Sequence, residues 1–170
     1  MTNLSLELVD RLRKEFAQCS ELVSVGGGAA NDEISALAAE VGAALSPAYR
    51  QFLELFGSGI VGSLPIYGTS PLAMYPKDGT AADVTRRFRS DGWPIAEYEL
   101  VIAMDQAGNP IWENADGNII SYDHDVGGFV SVAPDFVQFI SDLMDSSCAE
   151  NPDCMPSSSD CRWSLGVYRS

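Results

Sequence analysis

Residues 100–132 read LVIAMDQAGNPIWENADGNIISYDHDVGGFVSV, and this stretch decides the fold. Four runs rich in β-branched and aromatic residues are separated by QAGN, by ADGN and by the glycine pair Gly127–Gly128. Short apolar runs bounded by Gly, Asn and Asp are typical of antiparallel strands joined by tight turns. The stretch therefore predicts a meander of four consecutive strands.

Three helices are predicted before this meander, because apolar residues recur there every three or four positions. Asn31 is a good N-cap for the second helix, and Gly42 is placed to end it. Ser46 caps the third helix, with Pro47 in its first turn. The apolar positions are Leu4, Leu8, Leu12 and Phe16 in the first helix, Ile34, Leu37, Ala38 and Val41 in the second, and Tyr49, Phe52, Leu53 and Phe56 in the third.

The segments around the meander complete the predicted order of elements. GIVGSLPIYGTSP, residues 59–71, mixes β-branched residues with Gly and Pro and predicts one or two short strands near an edge. DGTAADVTRRFRSDG, residues 78–92, predicts a short helix whose three arginines face solvent or pair with carboxylates. Pro134 opens a last amphipathic helix, and residues 146–170 form a polar tail rich in Cys, Ser and Pro, in which Trp163 and Tyr168 hint at docking.

The charge balance limits the partners of this chain. Acidic residues number 24 and basic residues 10, giving a formal net charge of −14. A field of this sign repels nucleic acid and anionic membranes and attracts basic proteins, although acidic side chains can also serve solubility alone. No apolar run reaches the roughly 18 residues of a membrane span, so a cytoplasmic protein without membrane or nucleic-acid binding is expected.

The cysteines and glycines do not predict a cofactor or metal site. Cys19 stands alone, and Cys148, Cys154 and Cys161 have spacings unlike the CxxC pairs of zinc sites, so reduced thiols are expected. A disulfide in the tail, or a weak metal site that includes His124, stays open. The three consecutive glycines in VGGGAAN, residues 25–31, match neither phosphate-binding motif and are interpreted as a connector.

His124 is the only histidine of the chain and lies between Asp123 and Asp125. A histidine base needs a nucleophile or substrate group within reach and a partner that fixes its tautomer, and the sequence supplies neither with any specificity. Metal binding would need further ligands, with Asp78, Asp105 and Asp116 as the available carboxylates. We therefore interpret ISYDHDV as a strand end that enters a glycine loop and serves recognition.

Two tryptophans remain to be placed. Trp112 lies in the middle of a predicted strand, where a large ring usually fills the core between sheet and helix. Trp93 precedes Pro94 in a connector. It could seal the edge of the core or anchor a partner, and the sequence leaves both interpretations open.

The run from Ile34 to Gly59, ISALAAEVGAALSPAYRQFLELFGSG, resembles the opening signature of the SUKH superfamily, which includes yeast cell-wall assembly regulators and many bacterial immunity proteins. The matching positions are Leu45, Tyr49, Phe52, Leu53 and Gly57–Gly59. Later landmarks follow in the same order: IYG at 66–68, GWP at 92–94, PIWEN at 110–114, SYDHD at 121–125 and VAPDFVQFISDLM at 132–144. The resemblance is strongest over residues 30–145, within a predicted domain of residues 1–145.

The resemblance implies an α+β domain with a central, largely antiparallel sheet packed against helices, which acts by binding and not as an enzyme. It implies an immunity protein that neutralises a cognate basic toxin, possibly a nuclease; the alternative is a non-catalytic scaffold like the cell-wall regulators. The length of 170 residues, without a long disordered extension, favours the immunity protein. No cofactor is expected. The partner-binding residues that we predict are Trp93, Asp116, Asp123, His124 and Asp125.

Overall fold

The computed structural model describes residues 3–18, 27–73, 75 and 77–149. In these ranges the chain forms helices and one antiparallel sheet, so the predicted α+β fold class is confirmed. The elements, in chain order, are α1 (Leu6–Gln18), α2 (Asn31–Val41), α3 (Pro47–Phe56), β1 (Gly59–Val61), β2 (Leu64–Ile66), α4 (Ala81–Ser90), β3 (Leu100–Met104), β4 (Pro110–Glu113), β5 (Ile119–Asp123), β6 (Gly128–Ala133) and α5 (Phe136–Ala149).

The strands of the sheet follow one another in sequence order, from β1 at one edge to β6 at the other. The four strands predicted between residues 100 and 132 are therefore confirmed as β3 to β6. Trp112 pairs with Val101 on one side and with Ile120 on the other, which fixes the register at the centre of the meander. The register shifts between Ile119 and Ile120 where β5 meets β6, so the edge strand is locally irregular.

Two predicted helix starts were wrong by one or two residues. Ala30 and not Asn31 is the N-cap of α2, because the Glu33 side chain accepts the Ala30 N–H at 2.7 Å and satisfies the first turn without an Asn cap. Helix α5 begins at Phe136 and not at Pro134, since the Asp135 side chain accepts the Gln138 N–H at 2.8 Å and caps the helix there.

The other predicted helix ends are confirmed. Ser46 Oγ accepts the Tyr49 N–H at 3.3 Å, with Pro47 as the first residue of α3. Gly42 ends α2 in the left-handed conformation, with φ at 71°, where a side chain would be strained. These ends follow from neighbours in sequence, which is why the sequence alone predicts them.

The core lies between the sheet and the helices. Phe52 of α3 contacts the rings of Phe16 in α1 and Phe136 in α5, with centroids 6.5 and 5.8 Å away, so three helices meet at one aromatic cluster. Trp112 is completely buried, as its place in mid-strand predicts. On α4, the Thr85 hydroxyl accepts the Val101 N–H at 3.0 Å and donates to the Ala81 carbonyl at 2.7 Å, which ties this helix to β3.

The polar tail predicted for residues 146–170 is not tested, because residues 150–170 lie outside the described part of the chain, while α5 continues to Ala149. The side chains of Cys19, Cys148, Cys154 and Cys161 lie outside it as well, so the expectations for the thiols stay predictions. Among the described residues, no helix has the length and apolar character needed to cross a membrane.

Glu15 joins α1 to the β1–β2 turn. Its Oε1 atom accepts the Gly62 N–H at 2.8 Å. Burial raises the pKa of the Glu15 carboxyl, and the Gly62 N–H and the nearby Arg11 charge offset only part of this effect. The folded protein therefore holds the proton of this group more tightly than the unfolded chain does.

We expect Glu15→Gln to change how stability depends on pH. With its pKa raised on folding, Glu15 contributes stability below its unfolded pKa, and this contribution is lost as pH rises through the folded pKa. Glutamine keeps the carbonyl oxygen for Gly62 and does not titrate. The free energy of unfolding of the variant should therefore increase relative to that of the parent as pH rises from about 4 to 7. Urea denaturation across this range measures it, and a difference that is constant with pH would contradict the assignment.

Candidate partner-binding site

The turn between β5 and β6 is built by Asp123. Its Oδ1 atom accepts the backbone N–H groups of Asp125 and Val126 at 2.9 and 3.1 Å, and its carbonyl accepts the Gly127 N–H at 2.8 Å. Gly127 has φ at 73°, which a residue with a side chain rarely adopts. The prediction that ISYDHDV is a strand end entering a glycine loop is confirmed, and one oxygen of the Asp123 carboxylate is occupied in holding that loop.

His124 is held by a neighbouring turn of the meander. Its Nδ1 atom lies 2.6 Å from Asn109 Oδ1, and the same oxygen accepts the His124 backbone N–H at 3.2 Å. The Asn109 side-chain NH₂ donates to Asp105 at 2.9 Å, which directs the amide oxygen toward His124. Because that oxygen can only accept, Nδ1 carries a hydrogen and the ring orientation is fixed.

The second ring nitrogen of His124 points toward solvent and toward Asp125. Its Nε2 atom lies 3.3 Å from Asp125 Oδ1, so the contact is an ion pair when the ring is protonated. The Asp125 side chain is 79% exposed. Of the two aspartates that flank His124, Asp125 is thus the more exposed, whereas Asp123 is half-buried.

Trp93 packs against the edge of the core and also lines an open cleft, while its role as an anchor for a partner stays a prediction. Its ring lies 5.2 Å from the Phe88 ring of α4, and on its other sides 5.8 Å from His124 and 6.0 Å from Tyr122. An open cleft of about 320 Å³ lies here, and it is lined by Trp93, Tyr122, His124, Asp91, Gly92 and Pro94. A rigid aromatic wall beside exposed carboxylates is a suitable surface for a cationic or amphipathic side chain.

Asp116 does not belong to this cluster. The sequence analysis grouped it with Asp123 and Asp125, but it lies in the β4–β5 turn, where the Asn114 side chain accepts its backbone N–H at 3.0 Å. Consecutive turns of a meander lie at opposite ends of the strand that they share, so Asp116 is separated from Asp123 by the length of β5. The grouping was therefore wrong for this residue.

Asn109 was not anticipated from the sequence, and Asp105 was considered only as a possible metal ligand. Both belong to the β3–β4 turn, which alternates with the β4–β5 turn and therefore lies at the same end of the sheet as His124. Asp105 accepts the backbone N–H groups of Ala107 and Asn109 at 2.9 and 2.8 Å. The sequence DQAGN marks this turn, and alternate turns of a meander lie at the same end of the sheet. These two observations together could have placed Asn109 near His124.

The ring of His124 contacts one amide oxygen and one carboxylate. Among the hydrogen bonds of the described residues, its ring contacts an amide oxygen and no hydroxyl or thiol nucleophile. Within the same residues, no group of three or more His, Cys, Asp or Glu side chains is arranged to hold a metal ion. What the site presents is a fixed imidazole, an aromatic wall and exposed carboxylates.

Charge is distributed unevenly along the chain. Residues 1–89 contain ten acidic and eight basic side chains, whereas residues 90–149 contain eleven acidic side chains and no lysine or arginine. This second segment comprises β3 to β6, the turns between them and α5. Its acidic residues are Asp91, Glu97, Glu99, Asp105, Glu113, Asp116, Asp123, Asp125, Asp135, Asp142 and Asp145. The part of the fold that carries the cleft is thus the source of most of the negative field.

The sequence was compared with known protein families. The SUKH_5 family, described as SMI1-KNR4 cell-wall, matches residues 6–145, which include all six strands and all of the helices except the last four residues of α5. No curated protein matches the chain.

Proposed function

The chain belongs to the SMI1-KNR4 cell-wall family (SUKH_5), and we propose that it is an immunity protein that binds a cognate basic toxin and blocks it. The observation that carries the proposal is the segment of residues 90–149, which has eleven carboxylates and no cation and forms the exposed turns around the Trp93–His124 cleft. Surfaces of one sign attract partners of the other and accelerate their encounter.

A nuclease domain is the class of toxin that fits best. The active site of a nuclease is built to accept phosphates, so it is lined with cations that a carboxylate-rich face can occupy. Asp125 is the exposed member of the cluster, and Trp93 is a ring already held in place by Phe88. In this arrangement the carboxylates speed association, while the aromatic ring is the group expected to slow dissociation.

The direct test is co-expression with a toxin domain that the proposal expects a neighbouring gene to encode. Cells that make the toxin with this protein should survive, and the complex with a catalytically inactive toxin domain should be recovered by size exclusion. The association rate should fall steeply between low and physiological salt. Asp125→Asn should lower that rate, and Trp93→Ala should weaken binding by about 2 kcal/mol, mainly through faster dissociation.

The matched control is Glu7→Gln, which removes the same charge from an exposed position on α1, in the part of the chain where acidic and basic residues nearly balance. It should change the association rate less than Asp125→Asn does. Asp123 is not suitable for this comparison, because its substitution would also disturb the turn. If cells die as quickly with the protein as without it, and no complex is recovered, the immunity proposal is wrong.

The second candidate is a non-catalytic scaffold or regulatory domain, which the description of the matching family as cell-wall proteins favours. Both candidates act by binding, and the co-expression experiment separates them. A scaffold would give no protection from the toxin and would instead associate with a protein of cell-wall synthesis or its signalling.

A further inference from the structure

The last strand of the sheet, β6, forms one of its two edges among the described residues. It pairs with β5 on one side, and no strand of the described residues pairs with its other side. Its sequence, GFVSVA, contains neither a charged residue nor proline, two of the features with which natural sheets block an edge, although a bulge at Val132 interrupts its pairing with β5. Phe129, Val130 and Val132 are 62%, 47% and 38% exposed. A row of backbone donors and acceptors is therefore available between exposed apolar side chains.

A groove runs along the helix-facing side of this edge. Val130 and Val132 line a space of about 320 Å³ together with Phe139 and Leu143 of α5, and this space extends inward over Ser121, Ile111 and Leu64 of the neighbouring strands. Asp105 and Asp123 line the same groove at its polar end. Both valines line this groove, while Phe129, the neighbour of Val130 in the strand, faces the opposite side.

On that opposite side, Phe129 connects the edge to the cleft. Its ring lies 5.4 Å from the Tyr122 ring, which in turn lies 6.0 Å from Trp93. A strand added to β6 would thus contact the aliphatic groove with one set of alternate side chains and this aromatic row with the other. Main-chain pairing combined with pockets for alternate side chains is how proteins bind an extended peptide at a sheet edge.

The charges around the edge select its occupant. Asp123 and Asp125 lie at the Gly128 end of β6, and Asp135 follows its other end, with no lysine or arginine between residues 90 and 149. In an antiparallel pair of two copies, the Asp123 end of each strand would meet the Asp135 end of the other. Like charges placed opposite one another are destabilising, so a second copy fits this edge poorly and a basic segment fits it well.

We infer that the partner contributes an extended segment that pairs with the free edge of β6, places aliphatic side chains in the Val130–Val132 groove and directs a cation toward Asp123. This inference rests on the proposed function, because it takes the basic toxin as the partner. It adds the mode of binding, the strand that binds and the residue pattern of the bound segment, which is apolar at alternate positions with lysine or arginine at one end.

The test measures binding of the full chain to the catalytically inactive toxin domain and compares two variants of this chain, each of which gains one carboxylate. Val132→Glu places a carboxylate in the groove, whereas Val126→Glu places one in the β5–β6 turn, where Val126 is 83% exposed and off the edge. Binding by charge alone would be strengthened by either variant. Pairing at the edge predicts that Val132→Glu weakens binding at least about tenfold, while Val126→Glu binds as tightly as the parent or more tightly.

Amide hydrogen exchange of the parent complex provides a second measurement, which does not depend on how the variants fold. The amides of residues 128–133 that do not bond to β5 should exchange at least about tenfold more slowly in the complex than in the free protein. A complex that forms without this protection, or with equal affinity for Val132→Glu, overturns the inference and leaves the immunity proposal standing. Failure of the parent to bind the toxin overturns both. Sedimentation showing a parent dimer that Val132→Glu dissolves would assign the edge to a second copy instead.

Discussion

Replacing Gly68 by alanine is expected to destabilise the fold by about 3 kcal/mol or more, because the added methyl group meets backbone and not a movable side chain. A Cβ atom on Gly68 would overlap the carbonyl oxygen of Gly57 and lie 2.8 Å from a methyl carbon of Leu53. Gly57 cannot withdraw easily, since its N–H donates to the Leu53 carbonyl at 2.8 Å and ends α3. Gly68 itself accepts the Ala81 N–H at 2.8 Å at the start of α4.

Gly128→Ala is the matched control for this prediction. Both glycines lack a positive φ, but nothing lies within 4 Å of a Cβ atom built on Gly128. Its substitution should change the free energy of unfolding by less than about 0.5 kcal/mol. Urea denaturation followed by circular dichroism measures both variants, and equal stability of the two would show that the contact between Gly68 and Gly57 does not constrain the fold.

The parts of the fold that the sequence predicts well are those decided by near neighbours. Ser46 and Gly42 define helix ends with groups three or four residues away, and the meander follows from turn residues at short intervals. The grouping of Asp116 with Asp123 was wrong, because it overlooked that consecutive turns lie at opposite ends of the sheet. The predicted meander already implied at which end of the sheet each turn lies, so the sequence contained the information needed to separate the two residues.

Arg89 shows a contact that local pattern could not predict. The three arginines of α4 were expected to face solvent or to pair with carboxylates, and Arg86 and Arg87 do pair with Glu40 and Asp78. Arg89 instead donates to backbone carbonyls of the connector before β3 and of the end of α2. These acceptors are the carbonyls of Val41, Ala96, Glu97 and Glu99. A connector without strand partners leaves its carbonyl groups unsatisfied, and only the tertiary fold shows which donor reaches them.

The candidate site was predicted only in part, because some of its contacts join residues that are distant in sequence. Asp125 lies beside His124 as expected, but the contact of Trp93 with His124 was not predicted. The residue that fixes the histidine ring is Asn109, fifteen positions earlier and two turns away. The edge of β6 was not anticipated as a surface. Its apolar sequence is compatible with a central strand as well as with an edge strand. Only the order of the strands in the sheet shows that β6 lies at the edge.

Phe52→Ala should cost about 3 to 5 kcal/mol of unfolding free energy, because the ring is completely buried where α1, α3 and α5 meet. Phe16, Phe56 and Phe136 surround it with ring centroids at 6.5, 5.4 and 5.8 Å. Other contacts hold two of these helices, because Tyr49 Oη donates to the Tyr67 carbonyl at 2.7 Å and fixes α3, while Glu15 of α1 accepts the Gly62 N–H at 2.8 Å. The helices therefore cannot close the cavity that the missing ring leaves.

Phe129→Ala is the control for Phe52, since it removes the same side chain from the exposed edge strand, where solvent fills the space. We expect it to cost less than about 1 kcal/mol, even though its ring contacts Trp112 and Tyr122 at 6.1 and 5.4 Å. Urea midpoints at constant slope give both values. A loss below about 1 kcal/mol for Phe52→Ala would mean that the three helices do not depend on this cluster. A loss for Phe129→Ala as large as that for Phe52→Ala would mean that the β6 edge is already covered in the isolated protein and is not open to a partner.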